Sequence, residues 1–435
     1  MLKKLNVLGL FSGAGGLDMG FKEAGFNIIG LSDIWEESKK TMNLNFPNIP
    51  FLCKDITTIT IDDILKLTKN KYPDVIVGGP PCQGFSISGD KNSSDPRNKL
   101  FESYVRIVDG LNPRCFVFEN VKGIKSMFKG RYLKMVANSF SNIGYDIHVK
   151  IMNSSNYGVP QNRERVIIFG TRVNKKFSYP KPSNKPIGKL KSRKNVEEAI
   201  GDLFNTTHNE FPNHLILNHS EVVIERYKFI PEGGKLPPPS DLPKKIRRKN
   251  FGNTYVRLDR KKPSPTMVPG NNAFPVHPVL NRSLTPREAA RIQSFPDNFI
   301  FTGNRKNQCI LVGNAVPPML AANLAKEIKK YLNNENYVGT NQDLYLNRNK
   351  KIEIEYDKNK LTFVDLFSGA GGIGVGFENA GYEHVLSSDF DFAVEKTFNN
   401  YNPKVPFFRG DLSSKESFNQ IIDSGYNFTG PTSNI

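Results

Sequence analysis

The sequence predicts an α/β fold, a doubly wound and mostly parallel sheet interrupted by a smaller basic lobe. Three observations predict it. Apolar strand-like runs alternate with amphipathic stretches from Leu5 to Arg172, the rhythm breaks near Asn174 into Lys-, Pro- and Asn-rich sequence, and a helical pattern resumes at TPREAARIQSFP and PMLAANLAKEIKKYL. With 435 residues the chain has room for roughly two to three domains and a large core.

LNVLGLF reads as the first strand rather than a leader, because its short apolar run passes into a glycine turn without a small-residue cleavage site. In that turn, FSGAGG (Phe11–Gly16), the glycines let the backbone bend tightly and approach a ligand before the first helix. FNIIGLSD follows and ends in Asp33, placed to hold a ribose hydroxyl pair. The turn lacks the GxxxxGK[ST] pattern of a phosphate cradle, which argues against ATP hydrolysis.

PFLCKDI and DVIVGG are the third and fourth strands, and the fourth runs straight into PPCQGFS. Pro80 and Pro81 fix the backbone so that Cys82 is presented at a set angle; a buried strand-end cysteine is the plainer alternative. The Gly-, Ser- and Asp-rich stretch Ser86–Phe101 has the composition of a loop that closes over a substrate. CFVFENV brings Glu119 to the same sheet edge, where an acid could also simply cap a helix. YDIHVKIMN and RVIIFGT complete the strands, and QNRER places Arg163 and Arg165 on one face of the last, a pattern that a solvated edge strand would also show. A thiol, a carboxyl and two arginines gathered at one sheet edge are hard to explain by packing.

The charge balance is 60 Lys and Arg against 42 Asp and Glu, a net +18 that suits a polyanion binder better than an enzyme of small metabolites. Basic residues bunch in Lys175–Asn195 and Lys244–Asn250, although such runs are often plain solvated surface. Cys53, Cys82, Cys115 and Cys309 form no CxxC pair, so neither a metal site nor a disulfide framework is expected, and a reducing cytoplasm fits. No apolar stretch approaches a membrane span, and the six histidines read as ordinary surface or loop residues. Beyond a polar, Asn-rich linker, LFSGAGGIGVGFENAGYEHVLSSD aligns without a gap on LFSGAGGLDMGFKEAGFNIIGLSD at an offset of 356 residues, so a second copy begins there. The offset puts the counterpart of Cys82 beyond Ile435, and the second copy reads as a truncated front half.

FSGAGG, PPCQGFS, ENV, QNRER, RSLTPREAARIQSFP and GNAVPP, in this order and spacing, resemble the DNA cytosine-5 methyltransferases of bacterial restriction–modification systems. The resemblance covers Met1 to about Leu332 apart from the basic lobe. It implies a Rossmann-like catalytic domain using S-adenosylmethionine (1–173 and 251–332), a small basic target-recognition domain (174–250), a linker (333–350) and the cofactor half of a second copy (351–435). It also implies double-stranded DNA as substrate, a monomer, and functional pairing with a restriction endonuclease. The chemistry suits the residues, since carbon 5 of cytosine becomes nucleophilic only after something adds to carbon 6, and a thiolate is well suited to that addition.

By the same resemblance Cys82 attacks carbon 6, Glu119 bonds the exocyclic amine and ring nitrogen 3, Arg165 holds the cytosine carbonyl, and Arg163 steadies the loop or a phosphate. Phe11, Gly13, Gly15, Gly16 and Pro80 would line the cofactor site. Asp33 would take the ribose, Ile34 the adenine face, Asp55 the adenine amine and Asn314 the methionine end. Ile34 stands where many members have an aromatic residue, and Trp35 follows one place later. Gln83, Ser86 and Ser88 would meet DNA once the target base is flipped out. The basic lobe would read the major groove, its Lys and Arg mostly touching phosphate. Thr285 and Glu288 read as a helix cap, with Arg287 bracing the lobe. A transfer-RNA methyltransferase of the same family and a non-catalytic DNA-binding module are the alternatives.

Overall fold

The computed structural model describes residues 4–81, 98–183, 194–206, 211–247, 253–268, 274–348, 360–410 and 412. Two compact units emerge, Met1–Arg348 and Asn349–Ile435. In the first, β1 (Asn6–Leu10), α1 (Gly16–Glu23), β2 (Asn27–Asp33), α2 (Glu36–Asn45), β3 (Phe51–Cys53), α3 (Ile61–Thr68), β4 (Val75–Gly78), α4 (Asn98–Leu111) and β5 (Cys115–Val121) alternate as the sequence leads one to expect. They are followed by α5 (Arg131–Asn142), β6 (Asp146–Asn153) and β7 (Glu164–Thr171). Strands β1 to β5 pair in parallel; β7 runs antiparallel between β5 and β6. With β8 (Leu344–Leu346) the sheet order is β3-β2-β1-β4-β5-β7-β6-β8. The chain turns outward in opposite directions from β1 and β4, so the crevice at their carboxyl ends is the switch point where such sheets bind ligands.

Both faces of the sheet are covered, which is why its inner strands read as continuous apolar runs. Val7, Val77 and Val117 face one core, and Leu8, Ile76, Phe116 and Phe118 the other. After α6 (Val196–Ile200) and a basic lobe that contains α7 (Glu221–Lys228), the chain returns as α8 (Pro286–Ile292), α9 (Arg305–Asn314) and α10 (Pro318–Asn333). Helix α10 lies on α1 at very short range. A Cβ on Gly20 would stand 2.4 Å from Ala321 Cβ, and one on Gly16 2.0 Å from the Val316 carbonyl oxygen.

Four expectations need correction. The stretch 333–350 is more than a linker: Leu344 and Leu346 pair with β6, and Lys150–Asp343 and Arg348–Asp146 contacts of 2.7 Å clamp both ends. A three-residue strand flanked by polar residues gives no period to read. The basic lobe is also not bounded at 174 and 250. Phe177, Tyr179, Val196, Ile200 and Leu203 belong to the main core, while the lobe's own cluster joins Tyr227 and Ile230 to Tyr255 and Val276. Widely spaced apolar residues in Lys- and Pro-rich sequence hid the first group. Among the described histidines, His148, His214, His277 and His384 are buried rather than superficial. Finally, the run Arg305–Asn333 is long and apolar enough to cross a membrane by composition, yet it is broken between α9 and α10, and 72% of its most apolar window is buried in the protein as core.

The second unit comprises β9 (Thr362–Leu366), α11 (Gly372–Asn379), β10 (Glu383–Asp389), α12 (Phe392–Tyr401) and β11 (Phe407–Arg409), with a parallel sheet in the order β11-β10-β9. The α1–α10 contact predicts that Gly20→Ala, which cannot be accommodated without separating the helices, destabilises the first unit by about 1–3 kcal/mol in chemical denaturation. Gly376→Ala, at the equivalent place in α11 with nothing described within 4 Å, should be neutral or slightly stabilising.

Candidate active site

The glycine turn after β1 is wound through the left-handed region at Phe11 (φ 53°), Gly13 (φ 53°) and Gly15 (φ 69°). A non-glycine residue pays for that conformation, so Phe11 is held there by its surroundings. Asp33 does much of the holding. Its Oδ2 accepts from Gly13 N at 2.8 Å and its Oδ1 from Trp35 N at 2.9 Å, so one carboxylate fastens the turn after β1 to the turn after β2. Burial pushes the Asp33 carboxyl up, against backbone N–H groups that hold it down. A Cβ on Gly13 would meet nothing within 4 Å, whereas one on Gly15 would strike Met42. The turn is therefore packed beneath and open at Gly13.

Ile34 is 67% exposed beside this opening, while Trp35 packs partly against the core at the start of α2. The aromatic one place later therefore does not substitute for Ile34. Asp55 Oδ1 accepts from Thr57 N at 2.9 Å, which fixes the turn after β3. Asn314 ends α9 with its side chain exposed, and the strap that follows passes over Gly16.

The second half of the site is built on β4, β5 and β7. Glu119 leans on the backbone just ahead of Pro80: a Cβ on Gly79 would be 2.7 Å from Glu119 Oε2. Next to it Asn120 Nδ2 donates to the Pro80 carbonyl at 3.0 Å, pinning the elbow that leads into PPCQGFS. Arg165 Nε meets Glu119 Oε1 at 2.8 Å, and both side chains are 12% exposed. Burial raises the Glu119 carboxyl; the charges of Arg165 and Arg163 oppose the rise without cancelling it. A cleft lined by Lys122, Asn153, Asn162, Glu164 and Thr266 opens beside Arg165. Cys82, Gln83, Ser86 and Ser88 lie outside the described residues.

Arg163 occupies a different place from Arg165. It is 1% exposed and donates through Nη1 to the Met267 carbonyl at 3.0 Å and through Nη2 to those of Gly313 (3.0 Å) and Asn314 (3.3 Å). Burial pushes it down to about 9. Of its two expected roles the phosphate contact is ruled out by this burial, and the solvated-edge reading fails because β7 is an inner strand. Arg163 is a brace. Gln161 and Gln293 continue that brace: Gln161 Nε2 donates to Gln293 Oε1 at 3.2 Å, and Gln293 Nε2 donates to the Val312 carbonyl at 2.7 Å. Neither glutamine, nor Asn120, was singled out from sequence, since their partners lie up to 132 residues away. Thr285 and Glu288 do form a capping box, and Glu288 is further gripped by Arg282 at 2.7 Å. Arg287 is fully buried on the carbonyls of Pro212 and Pro296.

The family model for C-5 cytosine-specific DNA methylases matches residues 5–330 and again 361–424. The chain belongs to that family. Among curated relatives, the Type II methyltransferase M1.HphI of Haemophilus parahaemolyticus is 36% identical over 76% of this chain and 88% of its own length. The Type II methyltransferase M.DdeI of Desulfomicrobium norvegicum is 37% identical over 77% of this chain and 91% of its own. A solved structure described as a DNA modification methyltransferase encoded within an E. coli prophage aligns with a TM-score of 0.62 at 27% identity, covering 76% of this chain and all of the other. The fold is accordingly the α/β, Rossmann-like fold of the methyltransferases, and the enzyme is a DNA cytosine-5 methyltransferase.

The geometry around Arg163 predicts the result of removing it from this methylase. Arg163→Met strips three carbonyls of their charged donor and should cost roughly 3 kcal/mol or more, at about 1–3 kcal/mol per group left unsatisfied. Urea denaturation followed by tryptophan fluorescence measures it, Trp35 being the single tryptophan.

Proposed function

We propose that this methylase transfers a methyl group from S-adenosylmethionine to carbon 5 of a flipped-out cytosine, in a specific duplex sequence, through a covalent intermediate on Cys82. The observation that carries the reading is the Glu119–Arg165 pair, 2.8 Å apart and leaning on the backbone two residues ahead of the Pro81–Cys82 step. A base extruded into this crevice would find a carboxyl, a guanidinium and the elbow bearing the thiol on one sheet edge.

The residues at the glycine turn fit the donor in kind. Asp33 offers a fixed carboxylate for a ribose, Gly13 leaves open space, and Ile34 gives an exposed apolar face for the adenine. Phe11, Gly15, Gly16, Asp55, Pro80 and Asn314 complete that lining. When bound, the donor supplies an electrophilic methyl group.

On the substrate side, the Cys82 thiolate adds to carbon 6 while Glu119, carrying its proton, donates to ring nitrogen 3 and accepts from the exocyclic amine. Arg165 donates to the cytosine carbonyl oxygen, and Arg163 keeps the strap at Gly313–Asn314 in place behind it. Carbon 5 takes the methyl group, its proton is then removed, and expulsion of the Cys82 sulfur restores the ring. Gln83, Ser86 and Ser88 would contact the DNA, and the basic lobe supplies phosphate contacts. Host protection against a partner endonuclease follows from the same reading, by analogy with relatives named as Type II methyltransferases.

Base-resolved methylation sequencing of plasmid from a methylation-free host tests it. Wild type should yield 5-methylcytosine in one sequence context, and Cys82→Ala none; unmodified DNA from folded wild type, or methylation of RNA instead, would overturn the reading. A second outcome concerns pH. The rate needs Cys82 deprotonated and Glu119 protonated, so kcat/KM rises and then falls as pH increases, the fall arising from loss of the Glu119 proton, which burial favours keeping. Glu119→Gln should lower the rate roughly 10²-fold or more and abolish that alkaline limb.

A further inference from the structure

The two copies of the glycine turn differ by an exchange. At the offset of 356 residues, Gly9 and Asp18 of the first copy correspond to Asp365 and Gly374 of the second. Glycine and aspartate have traded places between the strand that precedes the turn and the helix that follows it.

In space the exchange nearly cancels. In the first unit Asp18, on α1, lays its carboxyl over β1 so closely that a Cβ on Gly9 would be 1.9 Å from Asp18 Oδ1. In the second, Asp365 projects from the equivalent position on β9, and its Oδ2 is 3.2 Å from where a Gly374 Cβ would stand on α11. Either way a carboxyl lies between the strand and the helix, beneath the turn, reached from opposite sides. Asp18 is 3% exposed and Asp365 4%.

Each carboxyl keeps one oxygen without a partner. Asp18 Oδ1 and Asp365 Oδ2 have no hydrogen-bond partner among the described residues, and neither do the buried hydroxyls of Ser12 and Ser368, themselves equivalent positions in the two turns. Burial pushes the Asp18 carboxyl up to about 7, with Ser12 beside it working the other way and Asp33 adding to the rise. A buried orphan oxygen costs stability. A fold that had no use for it would place an apolar residue there, yet this chain retains a carboxyl at that point twice, from different backbone positions. The requirement therefore attaches to the place beneath the turn and not to a position in the sequence.

We propose that Asp18, acting through the Ser12 hydroxyl, is a positioning residue for the cationic amino-acid end of the cofactor, and that Asp365 with Ser368 is its counterpart in the second unit. The inference rests on the cofactor reading above. A serine hydroxyl can accept from an ammonium and donate to a carboxylate at once, which would satisfy both orphan atoms. The turn opens at Gly13, one residue from Ser12, where a Cβ would meet nothing within 4 Å.

The test is calorimetric binding to the full chain with two probes, S-adenosylhomocysteine, which carries the ammonium, and 5′-methylthioadenosine, which lacks the amino-acid end. An Asp389→Ala background removes the carboxylate that grips the turn of the second unit, Gly369 N to Asp389 Oδ2 being 3.1 Å. Asp18→Asn should weaken S-adenosylhomocysteine about tenfold or more, the scale of one charge-assisted hydrogen bond, and leave 5′-methylthioadenosine unchanged. The transplant Gly9→Asp with Asp18→Gly, which copies the second unit's arrangement, should bind S-adenosylhomocysteine within about threefold of the parent, a small fraction of the loss from one such bond. Equal weakening of both probes by Asp18→Asn would reduce Asp18 to a packing role, and no weakening of either would remove it from the site; either result overturns the proposal. A transplant that folds but binds no better than Asp18→Gly alone overturns the equivalence of the two carboxyls. Should the transplant not fold, the Asn comparison decides. If the parent binds neither probe, the cofactor reading itself has failed.

Discussion

Gly16 and Gly20 carry no side chain because the backbone at Val316 and the Ala321 methyl occupy the room one would take. That contact joins the first helix of the chain to a segment some three hundred residues later, and the rest of the first unit depends on it. It lets α10 lie flat on α1, closes one face of the sheet with Leu320, Leu324 and Ile328, and carries the strap at Gly313–Val316 over the glycine turn. Helix propensity alone disfavours both glycines, by roughly 1 kcal/mol each relative to Ala, so their presence marks a place where close approach outweighs propensity.

Once the strap is there, its carbonyls need partners, and the sheet edge supplies them from β7 and the residues before it. Arg163 takes two strap carbonyls and that of Met267; Gln293, held by Gln161, takes Val312. Three carbonyl dipoles face the two terminal nitrogens of this deeply buried guanidinium and favour its charged form. That fixed positive charge, with Arg165 beside it, lies close to the Glu119 carboxyl, and still the carboxyl is raised. Desolvation wins over two cations because Glu119 sits on backbone, against Gly79, and not in water. The same packing that holds the scaffold together thus shifts the Glu119 carboxyl toward its neutral form.

The seven main strands were legible because each is a short apolar run bounded by turn residues, and the glycine turn, Asp33 and Glu119 were legible because each stands at the end of such a run. What sequence concealed has a common cause. Arg163 and Arg165 alternate identically along the chain, but only the structure separates a brace bonded to three carbonyls from a guanidinium at the mouth of a cleft. The strand Leu344–Leu346 exists because β6 offers an edge, and Lys150 and Asp146 offer charges, more than 190 residues earlier. Buried Phe177 and Tyr179 sit in a stretch whose lysines and prolines suggested a detached lobe, because a chain crossing the back of a core needs only an occasional aromatic anchor.

The second unit separates what is local in this site from what is not. Its turn repeats the first in detail: Phe367 at φ 56°, Gly369 at 51°, Gly371 at 85°, with Asp389 accepting from Gly369 N at 3.1 Å and from Asp391 N at 3.0 Å. Yet Gly372 and Gly376, counterparts of Gly16 and Gly20, meet nothing within 4 Å among the described residues, and Ile373 and Phe377 stand exposed on α11. The left-handed turn and its carboxylate clasp are therefore present with no covering helix among the described residues. The strand, the glycines and the aspartate that make them lie within about thirty residues, the span of one βαβ unit. The edge built on β5 and β7 has no such autonomy: Glu119 and Arg165 meet across these strands, and Arg163 finds its carbonyls only after the basic lobe has been traversed. The glycine turn and its clasp can be duplicated by copying a short segment, whereas the edge that joins Glu119 to Arg165 requires the whole first unit.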